Sequence, residues 1–374
     1  MAVRPPVRAL SMLTVVAASR NDGHGLNLVP RMQTFVDGLA DQVERLGGDV
    51  ELILVDWNPP ADRPPLSEVL SAREVGGFIA RAVTVPREVH ARLSGAGKLS
   101  FFQMIAKNVG IRRAEGDAVL ATNIDILLSD DLYRASTRPL QDRAVYRADR
   151  YDIPFNPDVT TDPEALRRSE PIRVNKKTGI YDANAGVAQR YVRGGAALSK
   201  LALANPITFF ERLLRPPPKG TSQLTRYRRA FISIFLLPRL HLNACGDFTL
   251  MTRRAWHELK GYPEWEMFSW NLDSVLLYQA AAARYAFNEL PDPAYHLEHS
   301  SGFSLESQQA LFDRLSHEGI PVLTDTAALE VNHMIWKGRR RGEWRLNLDG
   351  WGMPERALPE ARLRAARRSV HRGA

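Results

Sequence analysis

Apolar runs of strand length alternate with helical patterns through the first third of this 374-residue chain. The runs that predict buried strands are Ser11–Ala18, Val50–Val55, Ile79–Val85 and Ala118–Thr122. Apolar residues at helical spacing predict one helix that ends at Gly47 and another over Phe101–Arg113. Strands that alternate with helices are typical of a parallel sheet covered on both faces. The expected fold class is α/β, with a mixed, mostly parallel, Rossmann-like sheet flanked by helices.

Polar residues follow the fourth of these strands at its carboxyl end. Asn123, Ile124 and Asp125 come directly after Ala118–Thr122, at the edge of an open α/β sheet where ligands bind. A carboxylate at this edge can hold a divalent cation, and the cation can hold a diphosphate. The alternative is that Asp125 only caps a turn, as aspartate often does. This stretch alone leaves both interpretations open.

The charge of the chain bears on its partners. The formal net charge is +8 and the pI is near 9.7. Such a surface favours an anionic partner: a nucleic acid, an acidic membrane or a phosphorylated substrate. The common nucleic-acid-binding modules are missing, so we expect no nucleic-acid partner. Much of the excess charge lies in the C-terminal tail, where a solvated or interacting segment is more common than a site.

Cysteine content and hydropathy bear on the compartment. A single cysteine, Cys245, cannot form an internal disulfide or a cysteine zinc site, and it fits a reducing compartment. The chain has no run of about 18 apolar residues. Residues 1–10 lack a clear signal-peptide core and predict a disordered lead. We expect a cytoplasmic protein, and we leave open a peripheral position at the inner face of a membrane.

Residues 135–240 are harder to assign. Asn156–Asn184 is rich in Pro, Asp, Thr and Lys with weak periodicity, which predicts a long loop. Ala196–Leu214 is apolar and compatible with a helix. An arginine-rich stretch precedes the apolar run 230–237, and such a segment could dock on an anionic membrane. A buried helix with a solvated basic flank is the interpretation that this short run favours.

Several polar motifs stand in a specific order along the chain. They are Ser19–Asp22, Asp56, Lys107, Asn108, Asn123–Asp125, Gly246–Phe248 and Asn271–Asp273. This order resembles the glycosyltransferase-A fold, particularly family-2-like glycosyltransferases, over residues 11–130 and 240–300. The patterns Gly-x-Gly-x-x-Gly and Walker A are missing, which argues against a dinucleotide dehydrogenase or a P-loop enzyme.

The resemblance implies a nucleotide-diphosphate sugar donor and a glycan or glycolipid acceptor. An anionic membrane surface is a further candidate partner. The residues expected around the donor are Ser19, Arg20, Asn21, Asp56, Lys107, Asn108, Arg112 and Asn123. For Lys107 and Arg112, which could meet phosphate, a solvated helix face is the default alternative.

The resemblance also implies a divalent metal, Mn²⁺ or Mg²⁺, held by Asp125. Mn²⁺ accepts imidazole as well as oxygen ligands, which makes His299, or else His296, a candidate second ligand. Residues three apart on a strand face opposite sides, so at most one of the two is expected in the site. Hydrogen-bonded, partly buried strand residues are the alternative for both.

The implied reaction inverts the anomeric centre and needs a general base. Asp273 is the first candidate and Asp247 the second, with sugar binding as another role for Asp247. The alternatives are a helix N-cap for Asp273 and a turn residue for Asp247. Trp265, Phe268 and Trp270 could offer apolar platforms to a sugar ring, and core packing explains them equally well.

Two residues depart from the pattern that the resemblance implies. Asn123 replaces the first aspartate of the Asp-x-Asp metal motif, and Leu272 replaces the glutamate of a Glu-Asp pair. A catalytically silent carbohydrate- or membrane-binding protein on the same fold is therefore an alternative. A sugar nucleotidyltransferase is another, although Arg20–Gly23 is a poor version of the Gly-rich basic loop which that class needs after its first strand.

One catalytic domain is expected over residues 11–335, since the short elements after residue 243 lie close together in sequence. Within it we expect a nucleotide-sugar-binding half at 11–134, a variable acceptor region or helical and loop insertion at 135–240, and an acceptor-side half at 241–335. A basic C-terminal extension follows at 336–374.

Overall fold

The computed structural model describes residues 12–182, 186–190, 240–299 and 305–366. Its strands are β1 Leu13–Ser19, β2 Val50–Trp57, β3 Ser71–Ala72, β4 Phe78–Val85, β5 Ala118–Thr122, β6 Ile126–Leu128, β7 Ala144–Arg147, β8 Arg150–Ile153, β9 Arg173–Lys176, β10 Gly179–Asp182, β11 Gly186–Arg190, β12 Phe248–Thr252, β13 Ala286–Glu289, β14 Ala294–Leu297, β15 Glu360–Arg362 and β16 Arg364–Ala365. Its helices are α1 Leu28–Leu46, α2 Leu66–Val69, α3 Arg87–His90, α4 Gln103–Arg112, α5 Asp130–Ser136, α6 Pro163–Arg167, α7 Arg253–Leu259, α8 Leu272–Ala282, α9 Leu305–His317 and α10 Asp325–Gly338. The expectations for residues 1–10, 196–214 and 230–237 fall outside the described residues.

The larger sheet has the strand order β13-β7-β12-β5-β1-β2-β4-β15. Its centre, from β5 to β4, is parallel, while β12 joins β5 and β15 joins β4 in antiparallel pairs. Every residue of β1, β2 and β5 is buried, as expected for apolar strands with both faces covered. The predicted fold class, a mixed and mostly parallel sheet flanked by helices, is confirmed.

Helices form a layer on each face of this sheet. Helix α1 packs Met32, Phe35 and Leu39 into one core, and α4, α7 and α8 fill the other. Gly110 of α4 lies against β1, where an added Cβ would come within 2.5 Å of Val16 Cγ1. A larger residue would therefore push α4, and Lys107 with it, away from the sheet.

The strand order leaves a crevice at one edge of the sheet. β1 pairs with β2 on one side and with β5 on the other. Helix α1, which follows β1, and helix α4, which precedes β5, pack on opposite faces of the sheet. In open sheets, ligands bind at the carboxyl ends of such strands. Ser19 ends β1 and Thr122 ends β5, which places Asn123 and Asp125 at this crevice.

A second sheet, in the order β11-β10-β9-β8-β14-β6, begins next to Asp125. Strand β6 pairs antiparallel with β14, and β14 pairs parallel with β8. In this register His296 lies opposite Ile126 on one side and opposite Asp152 on the other. Three segments that are distant in sequence therefore meet beside the crevice.

Asn156–Asn184 is not the single long loop that its composition predicts. It contains α6, which Asp162 caps by accepting from the backbone N–H groups of Glu164 and Ala165. It also contains the hairpin β9–β10, which pairs with β8. These four-residue strands have no apolar alternation, so their pairing partners, rather than a local pattern, define them.

The last described residues cover an edge of the larger sheet. Strand β15 pairs with β4, and Glu360 forms an ion pair with Arg81 of that strand at 2.5 Å. Within the described ranges, every helix is too short or too polar to cross a bilayer.

Candidate active site

Lys107 of α4 is fully buried at the crevice. Its Nζ donates to Asn123 Oδ1 and to the carbonyl oxygen of Gly246, both at 2.7 Å. Burial lowers the pKa of Lys107 to about 8, although nearby carboxylates, including Asp273 and Asp125, oppose the shift. The Lys107 ammonium group therefore interacts electrostatically with both Asp273 and Asp125. The default expectation of a solvated helix face is wrong for Lys107.

Asn123 is hydrogen-bonded through both ends of its amide. Its Oδ1 accepts from Lys107 and from Gln103 Nε2, the latter at 2.9 Å, and its Nδ2 donates to Asp247 Oδ1. The other oxygen of Asp247 accepts from Arg150 at 2.7 Å. Asp247 is thus more than a turn residue, and it supplies a negative charge directly beside the neutral residue 123.

The Asp125 carboxylate meets one arginine and two histidines. Arg31 Nη1 donates to Asp125 Oδ2 at 2.6 Å. The Nε2 atoms of His296 and His299 lie 3.7 and 3.5 Å from the same oxygen. Burial raises the pKa of Asp125, but the two histidines and Arg31 together hold it well below its usual range. These contacts exceed what a turn-capping aspartate needs.

Asp125, His296 and His299 form a group that could hold a divalent metal. Each offers one ligand atom, and the three atoms lie within 4.8 Å of one another. A set of one carboxylate and two imidazoles fits Mn²⁺ better than Mg²⁺, which prefers oxygen ligands. Because Arg31 already neutralises part of the Asp125 charge, we expect weaker binding than at a site with two carboxylates.

The expectation that at most one histidine enters the site is wrong. His296 belongs to β14, but the strand ends at Leu297. His299 therefore lies on the following loop, where the alternation of a strand does not apply. The two imidazole rings pack edge to face with their centroids 5.4 Å apart.

Asp152 orients the ring of His296. Its Oδ1 lies 3.1 Å from His296 Nδ1, which leaves Nε2 facing Asp125. Carboxylates in this position fix the tautomer of metal-binding histidines. Burial lowers the pKa of His296, but Asp125 and Asp152 raise it to about 9. A metal bound here at neutral pH would displace a proton from this ring.

Asp273 lies in the first turn of α8, close to the loop at Gly246. A Cβ added to Gly246 would come 3.0 Å from Asp273 Oδ2, so glycine permits this close approach. The N-cap of α8 is Asn271, which forms no side-chain capping bond. A simple capping role therefore does not account for Asp273.

The surroundings of Asp273 suit proton transfer. Its Oδ1 accepts from the backbone N–H of Ser274 at 2.8 Å. Burial raises the pKa of Asp273, and the hydrogen bond from Cys245 and the charge of Lys107 only partly offset this. A carboxylate with a raised pKa is the stronger general base.

Two loops close the crevice between β1 and β2. Arg20 donates to the carbonyl oxygen of Asn58 at 3.0 and 3.2 Å, and Asn21 donates to that of Pro64 at 3.0 Å. The residues predicted for the donor after the first strand therefore also tie this loop to the one after β2.

Asp56 lies directly beside Ser19 in the pairing of β1 with β2. Its Oδ2 accepts from Leu66 N–H at 2.8 Å, while its buried Oδ1 has no hydrogen-bond partner among the described residues. Burial raises the pKa of Asp56 to about 6. A buried acceptor without a partner marks a place where a ligand hydroxyl or N–H group would be stabilised.

Asn108 and Arg112, both expected near the donor, make contacts with other parts of the protein. The Asn108 amide is bonded to the backbone N–H and carbonyl of Tyr262, so it anchors the turn at 261–264. The Arg112 guanidinium lies 5.0 Å over the ring of Trp351. Since a helix rises about 1.5 Å per residue, Arg112 lies at the opposite end of α4 from the crevice.

The predicted aromatic platforms have other aromatic or apolar neighbours. Trp265 packs against the core, and the ring of Trp270 lies 5.4 Å from that of Phe312. Phe268 forms a bridge with Val322. Core packing accounts for Trp265, and the contact with Phe312 gives the Trp270 ring a structural role.

Sequence reasoning missed Arg31, Arg150 and Asp152. Arg31 lies next to the apolar stripe of α1, and no motif in the neighbouring sequence indicates a functional role for it. Arg150 and Asp152 alternate on β8, which puts both on one face of the strand. Two opposite charges on one face of a short strand are the signal that could have identified this pair.

Comparisons with known proteins give structural neighbours only. No family model matches the chain, and no curated protein matches it. The crystal structure of GalNAc-T7 with UDP, GalNAc and Mn²⁺ is similar at 11% identity and a TM-score of 0.43, covering 89% of this chain and 55% of that one. The chain thus spans about half the length of that protein.

Two further solved structures are similar. The mannosyltransferase PcManGT from Pyrobaculum calidifontis, in complex with GDP-Man and Mn²⁺, has 12% identity and a TM-score of 0.38, covering 94% of this chain and 76% of that one. A mycobacterial protein has 12% identity and a TM-score of 0.34, covering 83% of this chain and 76% of that one. Identities and TM-scores this low assign no activity to the chain.

Proposed function

We propose that this protein transfers a sugar from a nucleotide-diphosphate sugar to a hydroxyl group of a glycan or glycolipid, with inversion at the anomeric carbon. The observation that carries the proposal is the buried Lys107, with Asp125, Asp247 and Asp273 around it at the carboxyl edge of a parallel sheet. Sugar transfer needs positive charge near a leaving diphosphate and a base near the acceptor. The crevice contains side chains suited to both tasks.

On the donor side, Ser19, Arg20, Asn21 and Asp56 bind the nucleotide in this proposal. The unpaired Oδ1 of Asp56 accepts from a ribose hydroxyl or a base N–H group. Lys107 and Asn123 orient the diphosphate sugar. A divalent cation, Mn²⁺ or Mg²⁺, held by Asp125, His299 and His296 would add positive charge beside the diphosphate.

On the acceptor side, Asp273 takes the proton of the attacking hydroxyl. As the hydroxyl oxygen bonds to the anomeric carbon, the bond from that carbon to the diphosphate oxygen breaks, and its electron pair leaves with the diphosphate. Attack from the face opposite the leaving group inverts the centre. Asp247, fixed by Asn123 and Arg150, binds hydroxyl groups of a sugar.

We also propose that residues 11–335 act as one catalytic domain in the cytoplasm. Residues 11–134 bind the donor, 241–335 supply the base, and 135–240 contribute to the acceptor site. The continuity of the larger sheet, in which β12 pairs directly with β5, supports treating both halves as one unit.

The test combines binding with product analysis. UDP and GDP are titrated with and without Mn²⁺ by calorimetry, and a panel of their sugars is then assayed for hydrolysis and transfer. Asp125→Asn is expected to reduce metal-dependent binding, and Asp273→Asn is expected to slow transfer by about 10²–10⁴-fold while leaving binding intact. Asp131→Asn is the matched control, because its side chain is 71% exposed on α5.

Three outcomes would count against the proposal. Nucleotide-sugar binding without turnover in any acceptor mixture would indicate a silent carbohydrate-binding protein. Release of pyrophosphate from a nucleoside triphosphate and a sugar 1-phosphate would indicate a nucleotidyltransferase. A product with retained anomeric configuration would exclude Asp273 as the base of an inverting reaction.

A further inference from the structure

We propose that a basic face away from the crevice docks on an anionic membrane surface. The basic face is defined by six exposed side chains from the start of α7, the turn after α8, the end of α10 and the residues that follow α10. They are Arg253, Arg254, Arg284, Lys337, Arg340 and Arg345. None of them belongs to the proposed donor or acceptor site.

Three contacts join these segments into one surface. Arg345 Nε donates to the carbonyl oxygen of Glu258 on α7 at 3.4 Å. Tyr285, three residues after the end of α8, donates its hydroxyl to Glu258 at 3.0 Å. Helices α8 and α10 pack against each other. The basic face is therefore one patch rather than a set of scattered arginines.

Positive charge on this face is only partly compensated. Glu258 pairs with Arg143, Asp142 with Arg254, and Glu343 with Arg341. Across the part of the chain that the structure describes, no ion pair involves Arg284, Lys337 or Arg340. Burial, followed by the charges of Arg340 and Arg284, lowers the pKa of Arg339, so the cations lie close enough to repel one another. An anionic surface would relieve this repulsion.

Exposed apolar side chains lie beside the cations. Met334 is 63% exposed and stands one turn before Lys337 on α10, and Leu348 is 85% exposed shortly after Arg345. Apolar side chains next to lysine and arginine suit the boundary between lipid headgroups and acyl chains. A nucleic-acid surface has no acyl-chain region that would receive an exposed methionine and leucine, so a lipid surface is the favoured partner.

The position of the basic face leaves the crevice free. Arg253 N–H donates to the carbonyl oxygen of Asp117 just before β5 begins, whereas Asn123 and Asp125 follow the end of β5. Five strand residues span about 16 Å. Docking through the basic face therefore does not cover the donor site, and both can be occupied at once.

The test uses the full-length protein and two triple variants that remove equal charge. Arg284→Gln/Lys337→Gln/Arg340→Gln removes three cations from the basic face. The control, Arg134→Gln/Arg138→Gln/Arg168→Gln, removes three exposed arginines near α5 and α6, which pack on α1 in the other layer. Each protein is sedimented with phosphatidylcholine vesicles, with and without phosphatidylglycerol, at low and high salt.

We expect the wild type and the control to bind only vesicles that contain phosphatidylglycerol, and less so at high salt. The basic-face variant should bind on the order of 100-fold more weakly, because each cation near an anionic bilayer contributes about fivefold. Met334→Ser/Leu348→Ser should weaken the binding that persists at high salt. Nucleotide binding by the basic-face variant should be unchanged.

Three results would overturn the proposal. The first is an equal loss of vesicle binding in the two triple variants. The second is equal binding of the wild type to neutral and to anionic vesicles. The third is tighter binding of the wild type to a DNA duplex than to anionic vesicles at the same salt. The thermal melt of each variant checks that it is folded. Failure of sugar transfer would not affect these results, since vesicle binding needs no turnover.

Discussion

The side-chain amide of Asn123 donates a hydrogen bond to Asp247 inside the crevice. The carbonyl end of the same amide accepts from Lys107 and Gln103, which fixes its orientation. An aspartate at position 123 would turn one carboxylate oxygen toward the carboxylate of Asp247. Like charges at this distance cannot both ionise without a large cost. The neutral residue at 123 is thus matched to the acid at 247.

Asn123→Asp should therefore lower both the activity and the stability of the protein, although it restores an Asp-x-Asp motif. We expect lower kcat/KM and a loss of about 1–3 kcal/mol in the free energy of unfolding, because Asp247 loses the hydrogen bond that Asn123 donates to it. Urea unfolding and donor hydrolysis measure the two effects. Asn123→Ala separates the loss of hydrogen bonds from the added charge. If the Asn123→Asp protein were more active or more stable than the wild type, a neutral residue would not be needed beside Asp247.

Asp152→Asn should lower the affinity for Mn²⁺ while keeping all three candidate ligands. The amide no longer fixes the tautomer in which Nε2 of His296 faces Asp125, and changes of this kind cost about 10–100-fold in metal affinity. Calorimetric titration with Mn²⁺ measures the effect. Asp131→Asn serves as the control, and equal affinities in the two variants would remove Asp152 from the metal site.

Asp273→Asn should lower the activity of the protein but raise its thermal stability. Loss of a general base lowers kcat by about 10²–10⁴-fold. Because burial raises the pKa of Asp273, its ionised form is disfavoured in the folded state, so the neutral amide should raise Tm at neutral pH. Initial rates and thermal melts test both statements. Cys245→Ser keeps a donor to the carboxylate and should retain most of the activity.

Asp56 should make the stability depend on pH. Its pKa is about 6 in the folded state against 3.8 for the ordinary group, so the folded protein binds the proton more tightly. The stabilisation is complete below pH 3.8 and is lost as the pH rises through about 6. Two pKa units correspond to about 3 kcal/mol.

Urea unfolding of the wild type and Asp56→Asn across this pH range isolates the contribution of Asp56. The difference in unfolding free energy should change by up to about 3 kcal/mol, with the variant relatively more stable at neutral pH. A difference that does not vary with pH would show that Asp56 titrates normally.

The central strands are predictable from the sequence for a physical reason. Parallel strands with both faces covered are continuous apolar runs, so β1, β2, β4 and β5 agree with the predictions to within a few residues at each end. Helix ends with a glycine signal are similarly clear, as at Gly47 after α1. Asp125 could be located because it follows such a strand.

The partners of Asp125 could not be predicted, since they depend on pairings between distant segments. Arg31 reaches it from α1, and His296 reaches it only because β14 pairs with β6. Strands β9 and β10 are short and polar, so their sequences predict a loop. The roles of the site residues remain predictions that the variants above test.

Strand β15 has a consequence for the order in which the chain can fold. Its partner β4 lies far upstream, and the ion pair between Arg81 and Glu360 joins residues 279 positions apart. Until Glu360–Arg362 emerges from the ribosome, the backbone edge of β4 stays unpaired and open to other strands. The half of the chain that contains β4 is therefore open to intermolecular strand pairing during synthesis until β15 is made.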